Sequence, residues 1–360
     1  MLGIGLLGYT YVLEQAGIRF LGIGGTSAGS INALLLAALG TPEQEKGGKL
    51  LDLLANKNFM DFIDGDSDAR DLLKSWLNGA GKFKLAFKAA QVIDSLQGNL
   101  GLNPGDAFTT WLKDILRKEG IESNGQLQER MRKLPSGLRN RAGEPLNSPD
   151  QAGIRLAMIA ADVTTETKVE FPRMASLYWS DPNAENPASF ARASMSIPYF
   201  FEPFKVSNLP QGDAAKRLWE EQAGYYVENE QALPQTAMFI DGGIMSNFPI
   251  NLFHDESKVP DAPTFGVKLE FDKRLKTIDG PIDLLGAIFN SARHTLDYDF
   301  ICRNADYKHL LTWIPAKDFN WLDFKMSDAN KLSSSWKGPA KRPTFFAGSI
   351  GHLIKSCGVS

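Results

Sequence analysis

The sequence predicts an α/β fold on three observations. Residues 8–40 read as a helix, a short apolar strand, a sharp glycine-rich turn and an apolar helix, the alternation from which layered α/β domains are built. Residues 154–161, Ile-Arg-Leu-Ala-Met-Ile-Ala-Ala, are the near-continuous apolar run of an interior strand. Residues 237–240 form another short apolar strand, closed by Asp241-Gly242-Gly243.

Along the chain, residues 8–17 place Tyr9, Val12, Leu13 and Ala16 on one helical face and end at Gly17. Residues 18–23 suit a buried strand, the turn follows from Gly24 to Gly29, and residues 31–39 continue as an apolar helix stopped by Gly40. No residue between Phe20 and Pro42 is charged, a length that can span a bilayer. The interrupting glycines with Thr26, Ser27, Ser30 and Asn32 fit a buried strand and helix instead.

From 41 to about 150 the composition shifts to charged segments carrying Leu, Phe and Trp at helical spacing. Helices are expected at 43–62, 68–77, 83–96, 105–119 and 124–134, with no strand. This stretch reads as a helical insertion between the first and second core strands, ending in a Pro/Gly/Asn/Arg-rich loop at 135–150. The sheet resumes at 154–161, and 168–171 pairs with it after the turn at 164–167. Residues 189–195 form a helix stopped by Ile197-Pro198, 265–269 a strand, 281–303 a long helix and 309–314 a last strand. The expectation is one domain over 1–360 that includes the insertion.

Composition removes several function classes. Lys plus Arg number 39 against 42 Asp plus Glu, a net charge of −3, so no basic field exists to hold nucleic acid by its phosphates. Cys302 and Cys357 are the only cysteines, which leaves no disulfide framework and no clustered metal-ligand set; a reducing compartment without structural zinc is expected. Met1 to Gly8 lacks the positive stretch of a signal peptide, so the expected location is cytoplasmic or peripheral to a membrane.

Gly25-Thr26-Ser27-Ala28-Gly29 is a G-x-S-x-G sequence in the strand-to-helix context that gives this motif meaning. So tight a turn strains the backbone at its apex, and the two glycines remove Cβ atoms that would clash. Ser27 Oγ would project at a helix N-terminus, where N–H groups beginning with that of Ala28 can stabilise an oxyanion. The competing reading makes Ser27 a helix N-cap. A nucleophilic serine needs a base. None of the four histidines, His254, His294, His309 and His352, sits at an obvious strand end beside glycines. Asp241 does, at the carboxyl end of a strand, where ligands collect in open α/β sheets. A direct Ser27-to-Asp241 proton transfer needs a partly desolvated carboxylate of raised basicity. The alternative for Asp241 is a structural Asx-turn.

On these residues the sequence resembles the patatin-like phospholipase family. Ser27 in Gly-Thr-Ser-Ala-Gly matches the family's nucleophile, and Asp241 in Asp-Gly-Gly its catalytic acid. Ala193-Ser194-Met195-Ser196-Ile197-Pro198 looks like its A-S-x-x-x-P block, and Gly101-Leu102-Asn103-Pro104-Gly105-Asp106 leads into a helix with Trp111. The resemblance covers most of the chain and is weakest over 41–100 and after 314. It implies a three-layer fold with a mostly parallel central sheet flanked by helices. It also implies a lipid acyl hydrolase of the phospholipase A or lysophospholipase type, with no metal or organic cofactor. Asp241 would take the Ser27 proton, Ala28 N–H and a glycine-rich turn would hold the oxyanion, and the substrate would be a phospholipid or other acyl-ester lipid at a transient membrane surface.

The family opens with a strand and a G-G-G-x-[KR]-G oxyanion turn. Here Gly3 falls on the last glycine of that turn and Leu2 on its basic position, and the leading glycines are missing. Weak or no activity is therefore expected of these 360 residues, and acyl hydrolysis of a version carrying the upstream turn. The runner-up is a catalytically inactive lipid-binding or interaction protein of the same fold, and a third reading is a His-dependent esterase. In the insertion, Phe59, Phe62, Trp76, Leu77, Phe83, Phe87 and Trp111 make either an apolar lid or a small core of their own. Lys82, Lys84 and Lys88 make either an anionic-lipid contact or a solvated face.

Overall fold

The computed structural model describes residues 3–77, 98–228, 232–255 and shorter stretches between 257 and 315. The expected helix at 83–96, Trp76 and Leu77 as side chains, Phe83, Phe87, the three lysines between 82 and 88, His294, His352 and both cysteines lie outside the described residues. The N-terminal half carries α1 (Gly3–Gln15), β1 (Gly22–Thr26), α2 (Ala28–Ala38), α3 (Gly47–Ala55), α4 (Ser67–Leu77), β2 (Gly101–Asn103), α5 (Asp106–Lys118) and α6 (Asn124–Met131). Next come β3 (Arg155–Asp162), β4 (Thr167–Phe171), α7 (Ala188–Ser194), β5 (Tyr199–Phe201), β6 (Phe204–Ser207) and α8 (Asp213–Ala223). The chain then forms β7 (Thr236–Asp241), β8 (Gly266–Glu270), a helical stretch at 286–293 and β9 (Leu311–Pro315).

The apolar run at 154–161 becomes β3, on which the sheet is assembled. β1 runs parallel to it from Gly22 opposite Arg155 to Thr26 opposite Ile159. β7 runs antiparallel, with Asp241 opposite Ala160 and Phe239 opposite Asp162. β4 pairs antiparallel over Met158 to Asp162. Because Met158 and Ile159 pair with both β1 and β4, and residues 160–162 with both β4 and β7, β1 and β7 share one edge of β3. They approach each other head-on along that edge, so their carboxyl ends meet between Ile159 and Ala160. β6 extends the sheet beyond β7. The class is α/β, as expected, and the sheet is mixed. The turn after β3 is too short for a crossover, so β4 returns antiparallel, whereas β1–β3, β2–β5 and β8–β9 are parallel.

Side chains alternate across β1 and define the layers. Gly25 faces α2, which is buried almost throughout its length because it packs against β1, β3, α6 and α7. Gly22 and Gly24 face the other way, onto the ring of Phe253; a Cβ at either would stand 2.9 or 2.5 Å from that ring. This explains a shift from the expected strand at 18–23. Room for Phe253 and pairing with β3 select the glycine stretch, while Ile18 and Phe20 pack instead with Tyr9, Leu13 and Ile314. α1 likewise begins at Gly3 rather than near Gly8, and its Leu7 is buried.

Among the described residues the insertion carries helices as expected, with one strand beside them. Gly101–Asn103 forms a parallel strand with Tyr199–Phe201, a pairing too short to leave any periodicity in the sequence. The helix expected over 43–62 is two pieces, α3 and a single 3₁₀ turn at Phe59–Phe62 whose start Asn58 caps by accepting from Met60 N–H. Of the insertion's aromatics, Phe62 packs against Phe108 and Trp111 at ring separations of 5.3 and 5.2 Å, within the main core rather than as an exposed lid. Among the described residues no helix is long and apolar enough to cross a membrane.

Candidate active site

The meeting of β1 and β7 places Ser27 and Asp241 together. β1 ends at Thr26 and α2 begins at Ala28, so Ser27 alone makes the turn, at φ 56° and ψ −121°. A non-glycine residue in this region costs about 1–3 kcal/mol. Gly25 permits the turn, since a Cβ there would stand 2.3 Å from the carbonyl carbon of Gly29. The expected need for glycine at position 29 is different in kind: a Cβ at Gly29 itself meets nothing within 4 Å, and it is the backbone of this residue that closes on Gly25.

Three hydrogen bonds from neighbouring elements hold the elbow. Ser27 N–H donates to Ser194 Oγ at 3.0 Å, and that hydroxyl donates to the Ile159 carbonyl of β3 at 2.5 Å. Thr26 Oγ1 donates to the Ser246 carbonyl at 2.8 Å. Ser194 and Ser196, from the A-S-x-x-x-P block, brace both halves of the site, because Asp241 N–H donates to the Ser196 carbonyl at 2.8 Å. Arg192 fastens the same block to the insertion, donating to Ser196 Oγ at 2.6 Å and to the Pro104 and Glu202 carbonyls at 2.6 and 2.9 Å.

Ser27 occupies the N-cap position of α2, yet its side chain makes no capping bond. It lies beside the Asp241 carboxylate instead, close enough to act on that carboxyl and lower its pKa. Asp241 also accepts Gly243 N–H at Oδ1, 2.8 Å, so the Asx-turn anticipated as an alternative coexists with the contact to Ser27. Gly242 crosses β3 so closely that a Cβ would stand 2.1 Å from the Ile159 carbonyl oxygen. Burial pushes the Asp241 carboxyl above its ordinary range, while Arg293, the Ser27 hydroxyl and Gly243 N–H pull it back. α2 starts at Ala28, so the N–H groups of Ala28 and Gly29 have no helical carbonyl to bind; Ser27 N–H is already engaged by Ser194. Gly3, the remaining sequence-derived site residue, opens helix α1. Among the histidines, His254 is buried with its ring 5.6 Å from that of Tyr307. Arg293 carries no signal in the sequence, being one basic residue among 39.

A serine on a strand-to-helix elbow, beside a buried carboxylate at a strand end, is an arrangement that can carry out acyl-ester chemistry on an α/β fold. A family model described as patatin-like phospholipase matches residues 1–254, and the chain belongs to that family. Membership supports lipid acyl hydrolysis as the broad chemistry. The chain is also 29% identical over 334 residues to the uncharacterized protein YqhO of Bacillus subtilis (strain 168), covering 92% of this chain and 89% of that protein.

Proposed function

We propose that this chain is a lipid acyl hydrolase of the phospholipase A or lysophospholipase type, one domain over 1–360, with Ser27 as nucleophile and Asp241 as base. The observation that carries the reading is the juxtaposition of Ser27, on the elbow where β1 ends opposite Ile159, with the buried Asp241 carboxylate, which ends β7 opposite Ala160 and on which the Ser27 hydroxyl acts. As Ser27 Oγ attacks the acyl carbonyl of a lipid at a membrane surface, its proton passes to Asp241. The N–H groups at the start of α2, Ala28 first, face the developing oxyanion. Asp241 returns the proton to the departing alkoxide, and the lyso-lipid or alcohol leaves. Asp241 then takes a proton from water as its oxygen attacks the acyl-enzyme, and returns that proton to Ser27 Oγ as the ester bond breaks and the fatty acid leaves.

The full chain is tested with a fluorophosphonate probe and a short-chain acyl ester. Ser27-dependent labelling and at least weak hydrolysis are expected, lost in Ser27→Ala and reduced about 10²–10⁴-fold in Asp241→Asn, the contribution of a general base. A folded chain that neither labels nor hydrolyses returns the case to a lipid-binding protein. Full activity in Asp241→Asn together with loss in His254→Ala would favour the His-dependent esterase.

A further inference from the structure

Arg293 reaches the site from the helical stretch at 286–293, downstream of the residues the family model matches. A methyl group at Gly243 would lie 2.8 Å from Asp241 Oδ1, 3.1 Å from Arg293 Nε and 3.2 Å from Asn247 Oδ1. Carboxylate, guanidinium and amide therefore crowd around one glycine. Arg293 Nη2 donates to Asn247 Oδ1 at 3.0 Å, which fixes the guanidinium beside the Asp-Gly-Gly turn. Asn247 is held in its turn, since the preceding Ser246 carbonyl accepts Thr26 Oγ1 from the nucleophile's own strand.

We propose that Arg293 is a positioning residue for the Ser27–Asp241 pair, its guanidinium, anchored by Asn247, keeping the Asp241 carboxylate ionised and turned toward Ser27. The proposal rests on the reading of that pair given above. A carboxylate taken out of water favours its protonated form, and a protonated acid cannot accept the serine proton. A guanidinium stays charged at any working pH, and its planar fork lets one arm hold Asn247 while the rest faces the carboxylate. The groups acting on Asp241 are Arg293 from this stretch, the Ser27 hydroxyl from the elbow and Gly243 N–H from its own turn. β3 meets the turn with the Ile159 carbonyl, α7 meets the elbow with Ser194, and the Ser196 carbonyl just beyond α7 takes Asp241 N–H. Arg293 thus supplies the positive charge that offsets burial.

The test reads Asp241 directly. NMR of the full chain, labelled at the aspartate carboxyl carbons and assigned by the signal missing in Asp241→Asn, follows its titration in wild type, Arg293→Gln, Arg293→Lys and Asn247→Ala. Arg293→Gln is expected to raise the midpoint by about one unit or more, the size an adjacent opposite charge contributes. Arg293→Lys should recover most of this, and Asn247→Ala should give a smaller rise. The acidic limb of kcat/KM on a short-chain ester should move upward equally in Arg293→Gln, with the rate returning at higher pH; a purely structural role would lower it at every pH. An unmoved midpoint in folded Arg293→Gln, or in Asn247→Ala if the glutamine variant does not fold, overturns the proposal. A shifted midpoint in a chain without Ser27-dependent hydrolysis would instead refute the proposed function and leave the coupling standing.

Discussion

Ser27 can hold a sparsely populated backbone conformation only because its neighbours over-determine it. Ser194 is the central one: wholly buried, it accepts Ser27 N–H and donates to the Ile159 carbonyl, so one hydroxyl joins the elbow, α7 and β3. Ser194→Ala leaves a donor and an acceptor without this partner. Each buried group so stranded costs about 1–3 kcal/mol. The variant is expected to unfold at lower denaturant than wild type and to react more slowly with the serine probe, because the elbow is then free to relax. Equal melting and equal labelling rates would show that the elbow holds its shape without the brace. This role follows from atoms that meet across 167 residues of chain, so no pattern in the sequence displays it.

At the scale of elements, the β1–α2 corner works because two backbones touch. Gly25→Ala would force a methyl group to 2.3 Å from the Gly29 carbonyl carbon, and backbone on both sides cannot yield. The expected result is displacement of α2, a large loss of stability and no labelling of Ser27. Gly29→Ala puts its methyl group into open space within the first turn of α2, where alanine is favoured over glycine by up to about 1 kcal/mol. That variant should fold and melt at or above wild type; thermal melts followed by circular dichroism separate the two, and a Gly25→Ala chain melting like wild type would refute the packing account. The same corner shows what was legible in the sequence. The motif, the helix after it, β3, β4, α7 and the strand into Asp241 all carried periodicity or flanking glycines strong enough to read. The position of β1 was not readable, because its glycines are selected by the Phe253 ring that comes from more than 200 residues away. Three-residue β2 and β5 are too short for a pattern, and Arg293 is recognisable only by what it stands beside.

For the molecule as a whole, the site sets a pH dependence of stability. Asp241 is 2% exposed, and burial raises its carboxyl above the value of about 4 that an unfolded aspartate has. The folded state therefore keeps this proton to higher pH than the unfolded chain does. Between the two midpoints the native state binds more protons, so stability falls as pH climbs from about 4 through the folded midpoint, and above it the full cost is present. Asp241→Asn abolishes that charge while keeping an oxygen for Gly243 N–H and the Ser27 hydroxyl. It is expected to melt higher than wild type near neutral pH, with a gap that closes below about pH 4, while hydrolysis falls about 10²–10⁴-fold; the proposed base thus costs the fold stability. Thermal melts across the pH range decide it, and a neutral-pH gap of opposite sign would mean that Arg293 more than offsets burial. The double variant Arg293→Gln/Asp241→Asn separates these contributions. If the two charges form one unit, stability lost in Arg293→Gln returns when the carboxylate that it left uncompensated is also removed, and the two effects fail to add.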